Sequence, residues 1–165
     1  MNFWKRIVTI LLISASCIGC DQSSKYIASE HLARNTMTSY LGDTVRIGYF
    51  ENRGAFLGMG ENMPEQVRFL VFTIFVGIFL VAFLLYLMFS HSPGKYVLVG
   101  LSCMFSGGAS NFIDRVMNKG AVVDFLNVGV GPVRTGIFNI ADVAIMIGFA
   151  LFLFGSSRTS EREIP

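Results

Sequence analysis

Charged residues are scarce in this sequence. They make up 15% of its 165 residues, whereas 53% are hydrophobic and the mean hydropathy is +0.58. An average soluble domain carries roughly 25% charged residues, so this chain lacks the charges that would cover a core in water. The same hydrophobicity excludes intrinsic disorder. No basic run underlies the net charge of +2, which leaves nucleic-acid binding without support. What remains is an integral membrane protein.

Histidine and cysteine are also rare, and this rarity excludes several kinds of catalytic site. His31 and His91 lie outside the long apolar runs, and no HExxH motif is present. Cys17, Cys20 and Cys103 lie within apolar runs and lack the spacing of zinc ligands. A serine–histidine pair has no plausible geometry, and neither a disulfide nor a thiol nucleophile is supported. We therefore expect no metal and no cofactor.

Four apolar runs are long enough to cross a bilayer. They cover approximately residues 7–25, 69–89, 96–113 and 137–155. We interpret residues 1–165 as a single integral membrane domain. Lysine and arginine flank the runs on one side, which is typical of the cytoplasmic side; these residues are Lys5, Arg6, Lys95, Arg158 and Arg162. Both termini are therefore predicted to be cytoplasmic.

The N-terminus allows a second interpretation, that of a cleaved secretory signal. Ile18-Gly19-Cys20 resembles the end of a bacterial lipobox, whose cleavage would make the chain a lipoprotein. Cys17, however, stands where an aliphatic residue is expected, and three further spans would be unusual in a lipoprotein. An uncleaved first span is favoured.

The outer segment between the first two spans has the composition of a small sheet. Residues 44–50 are rich in β-formers and partly alternate, and glycine-containing turns follow them. A β-rich segment is therefore predicted at approximately 36–60. The stretch 61–68 predicts the start of a short helix, with Asn62 as its cap and Pro64 in its first turn.

The few polar residues of the spans share one depth, near the outer interface. They are Asp21 and Lys25 in span one, Asn111, Asp114 and Arg115 in span three, and Asn139 and Asp142 in span four. Ionisable groups at membrane depth are costly and usually mark function. Two alternatives stay open: Asp21 and Lys25 as a snorkelling interface pair, and Asn139 as a helix cap or an interhelical hydrogen-bonding residue. Asp142 has no base within one turn and needs a partner from another element.

Asp124 is a candidate partner for Asp142. It lies in an apolar segment, 121–126, that we expect to dip toward the bilayer, although an exposed loop acid is the alternative. Faces of small residues should bring span four close to span three. They are the serine ladder Ser102, Ser106 and Ser110 with Gly107 and Gly108 beside it on span three, and Ala144 and Gly148 on span four. Two adjacent carboxylates cannot both ionise easily, so one can accept a proton from water while the other protonates a carbonyl. Such a pair can hydrolyse an amide without a metal.

Five motifs, in order, resemble those of bacterial lipoprotein signal peptidases (type II), and the resemblance covers nearly the whole chain. The motifs are Asp21-Gln22-Ser23-Ser24-Lys25, Glu51-Asn52-Arg53-Gly54-Ala55-Phe56, residues 107–115, Val122-Val123-Asp124-Phe125 and Phe138-Asn139-Ile140-Ala141-Asp142. Any one of them alone would be weak support.

The resemblance implies a fold and an activity. The fold would be an all-α polytopic membrane protein with four transmembrane helices, a small periplasmic β-rich cradle and a short periplasmic helix in the loop between spans three and four. The activity would be that of an aspartic endopeptidase of the bacterial inner membrane, monomeric, acting near the periplasmic face. It would cleave prolipoproteins before a diacylglyceryl-modified cysteine.

The resemblance also implies roles for individual residues. Asp124 and Asp142 would be the catalytic pair. Six further residues would support the pair or position the substrate: Asp21, Lys25, Asn52, Asn111, Arg115 and Asn139. The implied partners are prolipoproteins and membrane lipids.

Two other functions stay open on the residues alone. A small ion-coupled transporter would also use intramembrane acids, but transporters usually show inverted repeats and a midplane site. A non-catalytic assembly factor would use the small-residue faces and would tolerate asparagine at both acids.

Overall fold

The structure, a computed structural model, describes residues 2–55, 59–60, 62–90 and 94–160. Within them lie four long helices: α1 (Phe3–His31), α2 (Glu65–Phe89), α3 (Lys95–Met117) and α4 (Ile140–Ser160). Each contains a segment long and apolar enough to cross a membrane. The prediction of a polytopic membrane protein with four candidate spans is confirmed at this level.

The start of α2 differs from the prediction. Asn62 does not cap the helix: Pro64 is the N-cap residue, with an extended ψ of 143°, and the helix begins at Glu65. The ring of Pro64 fixes φ near the helical value and has no N–H to leave unpaired, which suits a helix start. The stretch is thus the first turn of the second span. Farther along, Leu70–Phe75 is π-helical.

A four-stranded antiparallel sheet connects the helices at one end. Its order is β1 (Thr38–Tyr40), β2 (Val45–Asn52), β3 (Val122–Val130) and β4 (Val133–Arg134). β2 and β3 pair with Phe50 opposite Asp124, and a register shift separates Ile47 from Phe50. We call this the sheet end of the protein.

Two expectations about the fold are corrected by the sheet. The segment between α3 and α4, all of which is described, contains β3 and β4 and not the expected short helix. The all-α description therefore does not hold, because Val122–Val130 runs as a strand beside β2. β-branched valines recur through β3 and favour a strand. The pairing with β2 is nonlocal, and for that reason no local pattern reveals it.

Helix α3 packs against α1 and α4 with two different faces. Gly100 and Gly107 lie against the backbone of Gly148 and Ala141 in α4, too close for any side chain. The serine ladder faces α1: the Ser106 hydroxyl donates to Ser14 Oγ at 2.9 Å. The predicted close approach of spans three and four is thus confirmed at Gly107 and Gly148, whereas the serine ladder faces α1.

Candidate active site

Polar side chains from five elements meet beneath the sheet. They come from α1 (Asp21, Lys25), the end of β2 (Asn52), α3 (Asn111, Asp114), β3 (Asp124) and the start of α4 (Asn139, Asp142). Asp21 and Asn139 are fully buried, and Asp114 and Asp124 are each 3% exposed. We call this set the polar cluster. Because its members are withdrawn from water, each needs partners within the protein.

Asp124 is held by two asparagines. Its Oδ1 accepts a hydrogen bond from Asn139 Nδ2 at 2.7 Å, and its Oδ2 accepts one from Asn52 Nδ2 at 3.0 Å. Burial raises the pKa of Asp124 to about 6; the hydrogen bond from Asn52 opposes this, and the nearby charge of Asp142 adds to it. The interpretation of Asp124 as an exposed loop acid is therefore wrong. This carboxyl keeps its proton to a much higher pH than an ordinary aspartate.

Asp142 is positioned by the start of α4. Its Oδ2 accepts from the backbone N–H of Asn139 at 3.1 Å, while Asn139 Oδ1 accepts from the N–H of Asp142 at 3.0 Å. This reciprocal pair is a capping box, a local arrangement that fixes a helix start. Asn111 Nδ2 donates to the other carboxylate oxygen at 3.0 Å. Both oxygens of Asp142 are therefore held by the protein.

Asn139 links the two acids. Its Nδ2 donates to Asp124 while its Oδ1 and backbone N–H hold Asp142, and Nδ2 also lies 3.1 Å from Asn111 Oδ1. The sequence left open whether Asn139 is a cap or an interhelical residue. It is both, and the capping geometry is what aims its amide at Asp124.

Lys25 lies at the charged centre of the cluster. Its Nζ is 2.7 Å from Asp21 Oδ2, 3.0 Å from Asp114 Oδ2 and 2.8 Å from Asn111 Oδ1. At 4% exposure it does not snorkel to the interface, so that alternative is wrong. By occupying the oxygen of Asn111, the ammonium directs the amide nitrogen toward Asp142.

Asp114 in the cluster, and Gln22 and Ser110 beside it, were absent from the predicted site. The Gln22 amide donates to Asp114 Oδ1 at 2.8 Å and to Ser110 Oγ at 3.0 Å, and the Ser110 hydroxyl donates to Asp21 Oδ2 at 2.7 Å. Asp114 also accepts from the N–H of Val123 at 2.9 Å, which fixes the start of β3. One signal could have identified Asp114. A buried acid needs a cationic partner, and Lys25 is a cation at the same predicted depth.

Arg115 contacts the turn that follows β2. Its Nη2 donates to the carbonyl of Gly54 at 2.6 Å, and its guanidinium lies 5.7 Å from the ring centroid of Phe72. Asn52 Oδ1 accepts from the N–H of Gly54 at 3.0 Å. Arg115 and Asn52 thus hold the same turn, the one that follows β2.

The chemistry that this arrangement can perform is acid–base chemistry. Two carboxylates are held by neutral amide donors and joined through Asn139. In the described parts of the chain, no three His, Cys, Asp or Glu side chains are grouped to hold a metal ion. A carboxyl with a raised pKa beside a second carboxylate provides a proton donor and a proton acceptor together.

Comparison with known proteins gives a consistent result. The model of the signal peptidase (SPase) II family matches residues 13–158. The lipoprotein signal peptidase of Borreliella burgdorferi (strain ZS7) is 32% identical over 154 residues, covering 90% of this chain and 89% of that protein. The one from Streptococcus agalactiae serotype Ia is 36% identical over 143 residues, covering 86% and 84%. A solved bacterial membrane enzyme superposes with a TM-score of 0.79 at 28% identity, covering 95% of this chain and 92% of that one.

Proposed function

This chain belongs to the signal peptidase II family, and on that premise we propose that it is an aspartic endopeptidase acting on bacterial prolipoproteins. It is a peptidase and a multi-pass protein of the bacterial inner membrane. The proposed reaction is cleavage before the diacylglyceryl-modified cysteine, which releases the signal peptide. The observation that carries the proposal is the bridging of Asp124 and Asp142 by Asn139.

The proposed mechanism uses one water molecule and one proton shared by the two acids. The ionised carboxylate accepts a proton from water, whose oxygen attacks the scissile carbonyl carbon, while the protonated carboxyl donates to the carbonyl oxygen. The C–N bond then breaks as the leaving nitrogen takes a proton from the acid that had accepted one. One hydroxyl of the tetrahedral intermediate returns its proton to the other acid, which restores the pair. The raised pKa of Asp124 supports a pair that retains a proton up to about pH 6, a property of the pair as a whole.

The supporting residues hold the acids in place. Asn111 and Asn139 fix Asp142, and Asn52 fixes Asp124. Lys25 acts through Asn111, with its charge balanced by Asp21. Arg115 secures the Gly54 turn that carries Asn52. These are positioning roles.

The proposed orientation places the sheet end at the periplasmic face. Exposed Lys5 and Lys95 lie at the opposite end of the helices, which supports cytoplasmic termini. A signal-peptide helix and a diacylglyceryl group both reside in the bilayer, so the scissile bond would meet the acids near the periplasmic interface. The residues of the site come from all parts of one chain, which supports a single integral membrane domain acting as a monomer.

Replacement of each acid tests the proposal. Asp124→Asn and Asp142→Asn should each reduce cleavage by about a thousandfold or more, because neither proton transfer can then occur. Cleavage would be followed in liposomes as the size shift of a diacylglyceryl-prolipoprotein. Asp43→Asn is the matched control, since Asp43 is an exposed acid paired with Arg46 in the sheet region. Full processing by either acid variant would refute the proposed dyad.

A further inference from the structure

A basic cavity lies at the sheet end but outside the polar cluster. It has a volume of about 190 Å³ and lies between the end of β2, the first turns of α2 and the turn after α3. Its lining residues are Arg53, Glu65, Arg68, Phe69, Lys119 and Gly120. Three of these six carry a positive charge and one a negative charge. At about 30 Å³ per water molecule, the cavity has room for a small anionic group.

The partners of Arg53 do not neutralise its positive charge. Arg53 Nη2 lies 3.2 Å from Glu51 Oε2, but Glu51 also receives Arg34 Nη1 at 3.3 Å. Arg53 Nη1 lies 3.5 Å from the carbonyl of Lys119, which connects the two cation-bearing segments. A guanidinium has five N–H donors, so these contacts leave donors on Arg53 for a ligand. The Arg53 side chain is 43% exposed and can be reached from outside.

The surface next to the cavity is apolar. Phe69 lines the cavity and begins the charge-free run of α2, and its side chain is 55% exposed. Val67 and Leu70 on α2, and Val116 and Met117 at the end of α3, are exposed as well. The cations thus border an apolar face at the end of two candidate spans. This arrangement matches a ligand with an anionic head and apolar tails.

We propose that the basic cavity binds the phosphate of a bilayer phospholipid from the leaflet at the sheet end. Arg53, Arg68 and Lys119 would contact the phosphate, since arginine in particular matches phosphate oxygens in bidentate geometry. The acyl chains would lie along the exposed apolar face of α2 and α3. A diacylglyceryl group carries no phosphate, so this lipid differs from the lipid of the proposed substrate. The site stands independently of the proposed catalysis.

The cavity also adjoins the site. Arg53 follows Asn52, whose side chain holds Asp124, so a lipid on Arg53 would contact the end of the strand that positions this acid. Through this contact, a bound lipid could affect the position of Asp124.

Lipid titration of the full chain in detergent tests the proposal. Native mass spectrometry would compare dioleoylphosphatidylglycerol with dioleoylglycerol, which has the same tails and no phosphate. Arg53→Gln/Lys119→Gln should weaken phosphatidylglycerol binding by roughly tenfold, because two cations near a membrane surface are removed. It should leave dioleoylglycerol binding unchanged. The control Lys5→Gln/Lys95→Gln removes two exposed lysines from the opposite end and should change binding less than twofold.

Three results would overturn the proposal. Equal losses of phosphatidylglycerol binding in the two double variants would mean that the protein attracts anionic lipid nonspecifically. Unchanged phosphatidylglycerol binding by the cavity variant would mean that the cavity is not the site. Displacement of the lipid by an equal concentration of inorganic phosphate would assign the cavity to free phosphate. If the double variant does not fold, Lys119→Gln alone should still weaken binding by about threefold, because Lys119 is an exposed turn residue.

Discussion

The two ends of the helix bundle are buried for different reasons. At the sheet end, the buried side chains include charged and amide groups that bind one another, such as Asp21, Lys25 and Asn139. At the opposite end the buried cluster consists of Ile10, Leu87, Leu98 and Leu101. Apolar packing at that end needs no exact partners, whereas each group of the polar cluster does. The comparison indicates that the sheet end gives up stability to fix geometry, and that the opposite end supports the fold.

Arg6 is a buried charged residue at the apolar end, and it too is held by hydrogen bonds. Arg6 is 7% exposed, and its guanidinium donates to the carbonyl and the hydroxyl of Ser90. The carbonyl of Ser90 lies past the end of α2, where unpaired helix carbonyls favour a cation. Even at this end, a buried cation is accepted only with partners that match it.

The largest expected effect on stability comes from removing the cation of the polar cluster. Lys25→Met should lower the free energy of unfolding by about 3–5 kcal/mol, because it leaves Asp21 and Asp114 buried without their cation. Thermal unfolding in detergent would measure the loss. Lys5→Met, an exposed lysine on the same helix, is the matched control and should be close to neutral. An equal response of the two variants would contradict the distinction between the two ends.

The sequence predicts the spans better than the site. Long charge-free runs such as 69–89 are a local signal, because a bilayer requires each span to satisfy its own backbone. The common depth of Asp21, Asn111 and Asp142 was also predictable, since depth follows from position along a helix. The side chains that these residues contact were not predictable, because the rotation and packing of the helices decide which helix faces are in contact. The contacts that Gln22 and Lys25 make with Asp114 were missed for this reason.

The pairing of the strands could not be predicted from the sequence. β2 and β3 pair across about 70 residues of intervening chain, and only this pairing places Asn52 beside Asp124. The resemblance to a family supplied Asn52 as a candidate, whereas residue periodicity did not. The resemblance supplied Arg115 as a supporting residue in the same way, but it did not reveal the hydrogen bond from Arg115 to the carbonyl of Gly54.

The pH dependence of stability should report the contribution of one buried acid at the sheet end, Asp124. The pKa of Asp124 is about 6 in the folded protein, against 3.8 for an ordinary aspartate. Between these values the folded state holds a proton that the unfolded state has lost, so stability falls as pH rises from about 4 to about 6. The change is about 3 kcal/mol and should level off above this window. The stability of wild type minus that of Asp124→Asn, measured across this range, reports it.

Asp43 supplies a control of opposite sign. Its hydrogen bond with Arg46 holds the pKa of Asp43 below its usual range, so its contribution is present above about pH 4 and is lost on acidification. The stability of wild type minus that of Asp43→Asn should therefore change only below that pH, where it should fall as the pH falls. A flat difference for Asp124 would mean that its carboxyl is already solvated in the folded state.

The smallest effect is expected at the apolar end, where lipid alters the usual cost of a cavity. Leu98 is 1% exposed, and in a soluble protein Leu98→Ala would cost about 2–5 kcal/mol. Lipid tails are as apolar as leucine, so removing a side chain from a membrane core forfeits packing but little hydrophobic transfer. We therefore expect about 1–2 kcal/mol, measured by thermal unfolding in bicelles, with kcat for prolipoprotein unchanged. Met146→Ala, at a position 68% exposed on α4, should be nearly neutral. A loss of activity in Leu98→Ala at intact stability would show that the apolar end also positions the acids, and the division between the two ends would fail.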